Sequence, residues 1–246
     1  MPDGTVTVLL CALVALASSY VQSVTGFGFG ILSMIFLPSL LPYTGANALS
    51  STLSTFTSLF TLILLRRQVN LKNLIFPTVG CLVSTFFAVA FIKQQSNKTL
   101  ILLLGIMLVL LSLYFFFFSD KIRIKPTPIA GFIAGALSGI GNGMFAIGGP
   151  PAVIYFLQSE ESSEKYMATI SAFFVISGAV SIGSKAVLGF MTPDVLIAIA
   201  VGFFTMLGGA FIGKLTRDKI RPNLIKKTIY AFMAMSGVIN IVTSLI

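Results

Sequence analysis

Apolar residues run along this chain in long blocks, and charged residues fall almost entirely between them. The blocks lie at about 5–24, 27–41, 44–65, 72–92, 98–118, 127–144, 147–158, 166–190, 193–213 and 224–245. Crossing a bilayer as a helix takes about 20 predominantly apolar residues. Eight of the blocks are close to that length or above it, while 27–41 and 147–158 are too short for ordinary spans. The pattern therefore predicts an all-α, polytopic transmembrane protein of 8–10 spans. The range is left open because the short blocks either cross or turn back as re-entrant hairpins.

Glycine interrupts the pattern in two places. "VQSVTGFGFGILSMIFLPSLLP", 21–42, places Gly26, Gly28 and Gly30 at every second residue. "GALSGIGNGMFAIGGPPAVIYFLQ", 135–158, places Gly148 and Gly149 directly before Pro150 and Pro151. A glycine inside a helix costs about 1 kcal/mol relative to alanine. Alternating glycines suit a broken backbone, which hydrocarbon tolerates only where it is buried in protein or lines a wet cavity. Proline suits the first helical turn, so new helices are expected to start near Pro150 and near Gly30 or Ile31. From Ile31 to Leu41 such a helix would be about 17 Å long, which is half a membrane.

A shift of 120 residues superimposes the two regions. Gln22 falls on Asn142, Gly28 on Gly148, Phe36 on Phe156, Ser18 on Ser138 and Ser51 on Ser171. The expected organisation is two transmembrane repeats, 1–120 and 126–246, in one integrated membrane domain, joined by "SDKIRIKPTP" at 119–128. If each half has an odd number of crossings, the repeats are inverted, as in many secondary transporters.

Composition strengthens the membrane reading. The 246 residues are 56% hydrophobic and 9% charged, with mean hydropathy +1.00, whereas a soluble domain carries about 25% charge. The net charge of +9 follows from the positive-inside rule. Arg66, Arg67 and Lys72, then Lys121, Arg123 and Lys125, then Lys214, Arg217, Lys219, Arg221, Lys226 and Lys227 all fall on one side if the segments alternate. That side is expected to be cytoplasmic, which puts both termini outside. Lys93 and Lys98 are exceptions. No basic run with interleaved aromatics forms a nucleic-acid surface. Cys11 and Cys81 are isolated, and no metal-ligand spacing exists.

The inventory excludes several enzymes. There is no histidine for a rhomboid-like serine protease, no buried aspartate pair for an intramembrane aspartyl protease, and no P-loop. The seven acids (Asp3, Asp120, Glu160, Glu161, Glu164, Asp194 and Asp218) lie in loops or at segment ends. Proton-coupled carriers commonly use buried acid or histidine relays, so a carrier driven by substrate gradient and membrane potential is expected. No cofactor is expected.

Two helix N-termini near the midplane would offer unpaired N–H groups and partial positive charge to an anion. Pro150 and Pro151 lack that donor, which leaves the amides around Ile147 to Gly149. Candidate binding residues are Gln22, Ser23, Thr25, Gly26, Gly28 and Gly30 in the first copy, and Asn142, Gly143, Gly148 and Gly149 in the second. Ser50, Ser51, Ser54 and Ser58 share one helix face, with Ser51 as a candidate wall of the path and Ser171 and Ser177 as its counterparts. Lys185 is the sole charge well inside a block, and either snorkels outward or attracts the anion. The competing reading of the glycines is tight helix packing.

"TGFGFGILSMIFLP", 25–38, and "GNGMFAIGGPPAVIYFL", 141–157, together with the two-half layout, resemble the sulfite exporter TauE/SafE family of membrane permeases. The resemblance implies transport of small sulfur-containing anions such as sulfite or organosulfonates, usually outward across the bacterial inner membrane. It carries over to Gly26, Gly28, Gly30, Asn142, Gly143, Gly148 and Gly149. Phe27, Phe29 and the double proline depart from the family's pattern. Uptake, an anion channel and a non-transporting scaffold subunit stay open as alternatives. The expected partners are a small anion and the lipid bilayer, with a homodimer left open and no nucleic acid. A reporter fused after Ile246 is expected to behave as periplasmic, and cytoplasmic behaviour would reverse the orientation.

Overall fold

A computed structural model describes the backbone of residues 4–118, 125–217 and 222–245, and the side chains of 4–117, 125–217 and 229–245. Most of the linker, 119–124, lies outside these residues. So do Asp3, Asp120, Lys121, Arg123, Asp218, Lys219 and Arg221, and the side chains of Lys226 and Lys227.

Ten helices follow the apolar blocks: α1 (Gly4–Thr25), α2 (Phe29–Phe36), α3 (Tyr43–Leu65), α4 (Leu71–Lys93), α5 (Asn97–Phe118), α6 (Pro128–Phe145), α7 (Gly149–Ser159), α8 (Ser163–Val187), α9 (Pro193–Thr216) and α10 (Pro222–Leu245). No strand occurs among the described residues. Local chemistry sets several boundaries. The side chains of Asn70, Thr127 and Ser162 accept from the N–H groups of Asn73, Ala130 and Lys165, which caps α4, α6 and α8. Prolines open α6, α7 and α9.

Among the described residues seven helices are long and apolar enough to cross a membrane: α1, α3, α4, α5, α6, α8 and α9. α10 adds an apolar stretch over Ile229–Leu245. α2 has 8 residues and α7 has 11, about 12 and 17 Å, and neither crosses on its own. The surface is apolar, with Leu13, Phe87, Phe116 and Phe204 all exposed, while many serines and threonines are buried. That distribution suits lipid outside and a polar path inside.

Two parallel pairs frame the bundle. α1 lies along α9, with Thr205 Oγ1 donating to Ala12 O at 2.9 Å. A Cβ at Gly209 or Gly213 would press on Leu16 O or Tyr20 O. α6 lies along α4 in the same way, with Gly135, Gly139 and Gly143 facing the carbonyls of Pro77, Cys81 and Thr85. Glycines four apart let the backbones meet, which is how close packing is gained in lipid. α3 packs on α8 and α5 on α10. Advancing every label by five exchanges α1–α9 with α6–α4 and maps α3–α8 and α5–α10 onto themselves.

Gly135 tests this packing, because a Cβ there would overlap the Pro77 carbonyl. Gly135→Val is expected to lower stability by about 1–3 kcal/mol or more, read as a lower melting temperature in detergent. An unchanged melting temperature would contradict the α4–α6 contact.

Candidate functional site

Both glycine-rich breaks are true helix interruptions, and they agree residue for residue at a spacing of 120. α1 ends at Thr25 and α6 at Phe145, and α2 starts at Phe29 and α7 at Gly149. The residue after each first helix is left-handed, Gly26 at φ 84° and Ala146 at φ 56°. The N–H of Gly26 donates to Gln22 O (2.8 Å) and that of Ala146 to Asn142 O (3.0 Å). The copies differ at the next turn, where Gly28 is left-handed at φ 104° and Gly148 has φ −91°. Ala146 shows that the left-handed turn is not reserved for glycine, at a steric cost.

The two breaks touch. A Cβ at Gly30 would overlap the carbonyl oxygen of Ala146, so only glycine lets α2 approach the second break. Between them lies a cavity of about 30 Å³ whose lining includes Gln22, Gly28, Gly30, Asn142, Gly148 and Gly149. Ser54 and Phe174 also line it. Each is the twelfth residue of its helix, in α3 of 23 residues and α8 of 25, so the cavity sits at mid-height of two spanning helices.

The donors at this cavity are neutral. The N–H groups of Gly30 and Ile31 in the first turn of α2 have no hydrogen bond among the described residues, and neither do those of Gly148 and Gly149. The Ile147 N–H, expected as a donor, is taken by Gly141 O at 3.0 Å. Asn142 is half-buried with no side-chain hydrogen bond among the described residues, and its amide is free for a guest. Gln22 is committed: its Nε2 donates to Ser58 Oγ (2.7 Å) and Ser54 O (3.1 Å), and Ser54 Oγ donates to Gln22 Oε1 (3.0 Å). It ties α1 to α3 while still facing the cavity. Among the described residues no charged side chain lines the cavity.

The other candidates lie elsewhere. Ser23 donates to Ala210 O at 2.8 Å and holds α1 to α9. Thr25 turns its hydroxyl onto Val21 O and Phe27 O and so stabilises the break itself. A Cβ at Gly26 would press on Met167 and Tyr166, and one at Gly143 on Ala88 and Thr85 O, so both glycines serve packing. Ser51 accepts from the Lys185 ammonium. Lys185 is 0% exposed and does not snorkel, because Ser51 on α3 gives it an inward partner. Ser50 pairs with Ser33 at 2.6 Å. Ser171 is buried on α8, and Ser177 donates to Phe174 O at 3.4 Å.

Sequence reasoning missed Phe27, Ile31, Ala146 and Phe174 as lining, and named Ile147 only for its backbone N–H. It paired Ser18 with Ser138 through the repeat but did not single out their buried hydroxyls, which have no partner among the described residues. They stand one helical turn before Gln22 and Asn142, and the i, i+4 rule was the signal that could have found them.

A second, larger hollow of about 700 Å³ lies beside the first break, lined by Thr25, Tyr166, Met167, Arg217 and the acids Glu160, Glu161 and Glu164. Glu160 accepts from Asn73 (3.1 Å) and Asn70 (3.3 Å). Lys165 donates to Glu161 at 2.6 Å and holds its carboxyl below the usual range. At the matching place beside the second break, Met144 O accepts from Tyr43 Oη (2.6 Å) and Asn47 Nδ2 (2.8 Å).

Long apolar helices around two interrupted ones that share a small polar cavity define a multi-pass membrane protein of the permease kind. The model of the family described as sulfite exporter TauE/SafE matches residues 10–239, and the chain belongs to that family. The family is one of membrane transporters. Over 231 residues the chain is 22% identical to a protein of Cupriavidus necator named probable sulfite/organosulfonate exporter TauE, covering 90% of this chain and 88% of the relative. No solved structure gives a significant match.

Proposed function

We propose that the chain is a secondary permease for small oxyanions, exporting sulfite or organosulfonate-type compounds across the bacterial inner membrane. The observation that carries this reading is the convergence of both helix breaks on one uncharged cavity. Gly30, Ile31, Gly148 and Gly149, with N–H groups unbonded among the described residues, line it together with Asn142, whose side-chain amide is likewise unbonded. Helix N-termini carry about half a positive charge, and together with unpaired N–H groups they favour an anion. The family match and the name of the Cupriavidus relative support sulfur oxyanions as the class.

The halves 1–120 and 126–246 act in this proposal as inverted repeats around the cavity, with α2 and α7 each reversing the direction of the chain so that every half contains an odd number of antiparallel passes. The five-helix exchange of pairings and the matched breaks support that arrangement. The carrier reading is favoured over an open channel because the cavity is small. Thr25, Tyr166 and Met167 line the separate, larger hollow, and Tyr43 and Asn47 hydrogen-bond Met144 O before the second break. Among the described residues no acid lines the cavity, which supports transport driven by potential and substrate gradient. Expelling one anionic charge from a negative interior is favourable by about 2.3 kcal/mol per 100 mV. Lys185 lies within the polar belt of α3 through Ser51 and adds an attractive charge about one helical turn from Ser54.

Purified protein in liposomes is expected to carry sulfite saturably under an imposed potential with no pH gradient. Asn142→Leu is expected to abolish the flux, and Lys185→Ala to raise the half-saturating concentration. Flux that needs a proton or sodium gradient would overturn the uncoupled carrier. An unaltered Asn142→Leu would move the site away from the breaks.

A further inference from the structure

The cavity's polar and apolar walls are different in kind. Its donors come from Asn142 and the helix starts, while Phe27, Ile31, Ile147 and Phe174 close the rest. Phe27 differs from the other three in how it is held. It stands between Gly26 and Gly28, the two left-handed residues of the first break, and it is buried against the cavity. The ring covers the start of α7, since a Cβ at Gly149 would lie 3.0 Å from Phe27 Cδ2.

The same ring is backed from behind. Phe27 stacks on Phe115 of α5 with centroids 6.1 Å apart, and Phe115 stacks on Tyr230 of α10 at 4.8 Å with planes 2° apart. Ser112 Oγ donates to Tyr230 O at 2.8 Å and fixes α5 to α10. Aromatic stacks of this kind contribute about 0.5–1.5 kcal/mol per pair beyond area burial. Phe27 therefore has little room to retreat when a guest presses on it.

Size then becomes the selective quantity. A dry cavity of about 150 Å³ accepts benzene, while this one measures about 30 Å³. A compact oxyanion of four heavy atoms needs a modest widening, whereas a sulfonate with a bulky organic tail needs the ring of Phe27 removed. We infer that Phe27, braced by Phe115 and Tyr230, is a specificity-determining residue that restricts the site to compact oxyanions of the sulfite type. This rests on the permease reading above and narrows its substrate class.

The test is competition for sulfite flux in liposomes by methanesulfonate and by benzenesulfonate, paired with thermal shifts of the purified chain in each sulfonate. For the native chain, half-inhibition by benzenesulfonate is expected at a concentration at least 30-fold above that for methanesulfonate. Phe27→Ala is expected to shrink that ratio at least tenfold, and Phe115→Ala to shrink it by less. If Phe27→Ala does not fold, Phe27→Leu and Phe115→Ala carry the comparison. Equal competition by both sulfonates in the native chain overturns the inference, and so does a ratio that no variant moves. If sulfite flux is absent but benzenesulfonate stabilises only the Phe27 variants, the transport reading fails and the role of Phe27 stands. With flux present and the ratio unmoved, the reverse holds. With neither flux nor any thermal shift, both fall.

Discussion

An interrupted helix inside a bilayer exposes backbone N–H and C=O groups that hydrocarbon cannot satisfy. This constraint organises the molecule. The breaks after Thr25 and Phe145 persist because each is enclosed by the other and by the middles of α3 and α8. At the contact of Gly30 with the Ala146 carbonyl a Cβ would overlap the oxygen, so no residue larger than glycine fits there. Around it, the α1–α9 and α4–α6 pairs bring backbones together through glycine faces. That tight frame leaves one small space lined by Gly30, Ile31, Gly148 and Gly149, whose N–H groups have no hydrogen bond among the described residues.

The chemistry of the space follows from what it lacks as much as from what it holds. A permanent cation at the cavity would bind an anion tightly and slow its release. Neutral donors and helix-end partial charges give attraction without a fixed counter-ion. Lys185 sits a short way off, bonded to Ser51 on the same face of α3 that offers Ser54 to the cavity. Burying such a polar group without a hydrogen-bond partner is costly, and Ser51 supplies that partner.

Much of the fold was legible because length and apolarity alone decide it. The expected blocks at 44–65 and 98–118 became Tyr43–Leu65 and Asn97–Phe118, and the block at 147–158 became Gly149–Ser159. The first break was placed correctly, although α2 proved shorter than the block 27–41, because Leu37–Ser39 winds into a 3₁₀ turn around Pro38. What sequence could not rank was direction around a helix in an apolar setting. Gln22 and Ser23 are neighbours, yet one faces the cavity and the other bonds to Ala210. Gly28 and Gly143 both belong to glycine-rich stretches, but one lines the cavity and the other packs on α4. With apolar residues on every face, hydrophobic period carries no sign of which side looks inward. The aromatic brace behind Phe27 was also out of reach, since it joins the first break to α5 and α10, which are distant in sequence.

The central claim is that an oxyanion sits where the two breaks meet. Crystals of the protein soaked in selenite, a heavier analogue of sulfite, would locate it by anomalous scattering. The account predicts a selenium peak between α2 and α7, with oxygens in hydrogen-bond range of the Gly149 N–H and the Asn142 amide. A peak beside Lys185 and Ser51 with the cavity empty, or in the hollow near Arg217 alone, would contradict it.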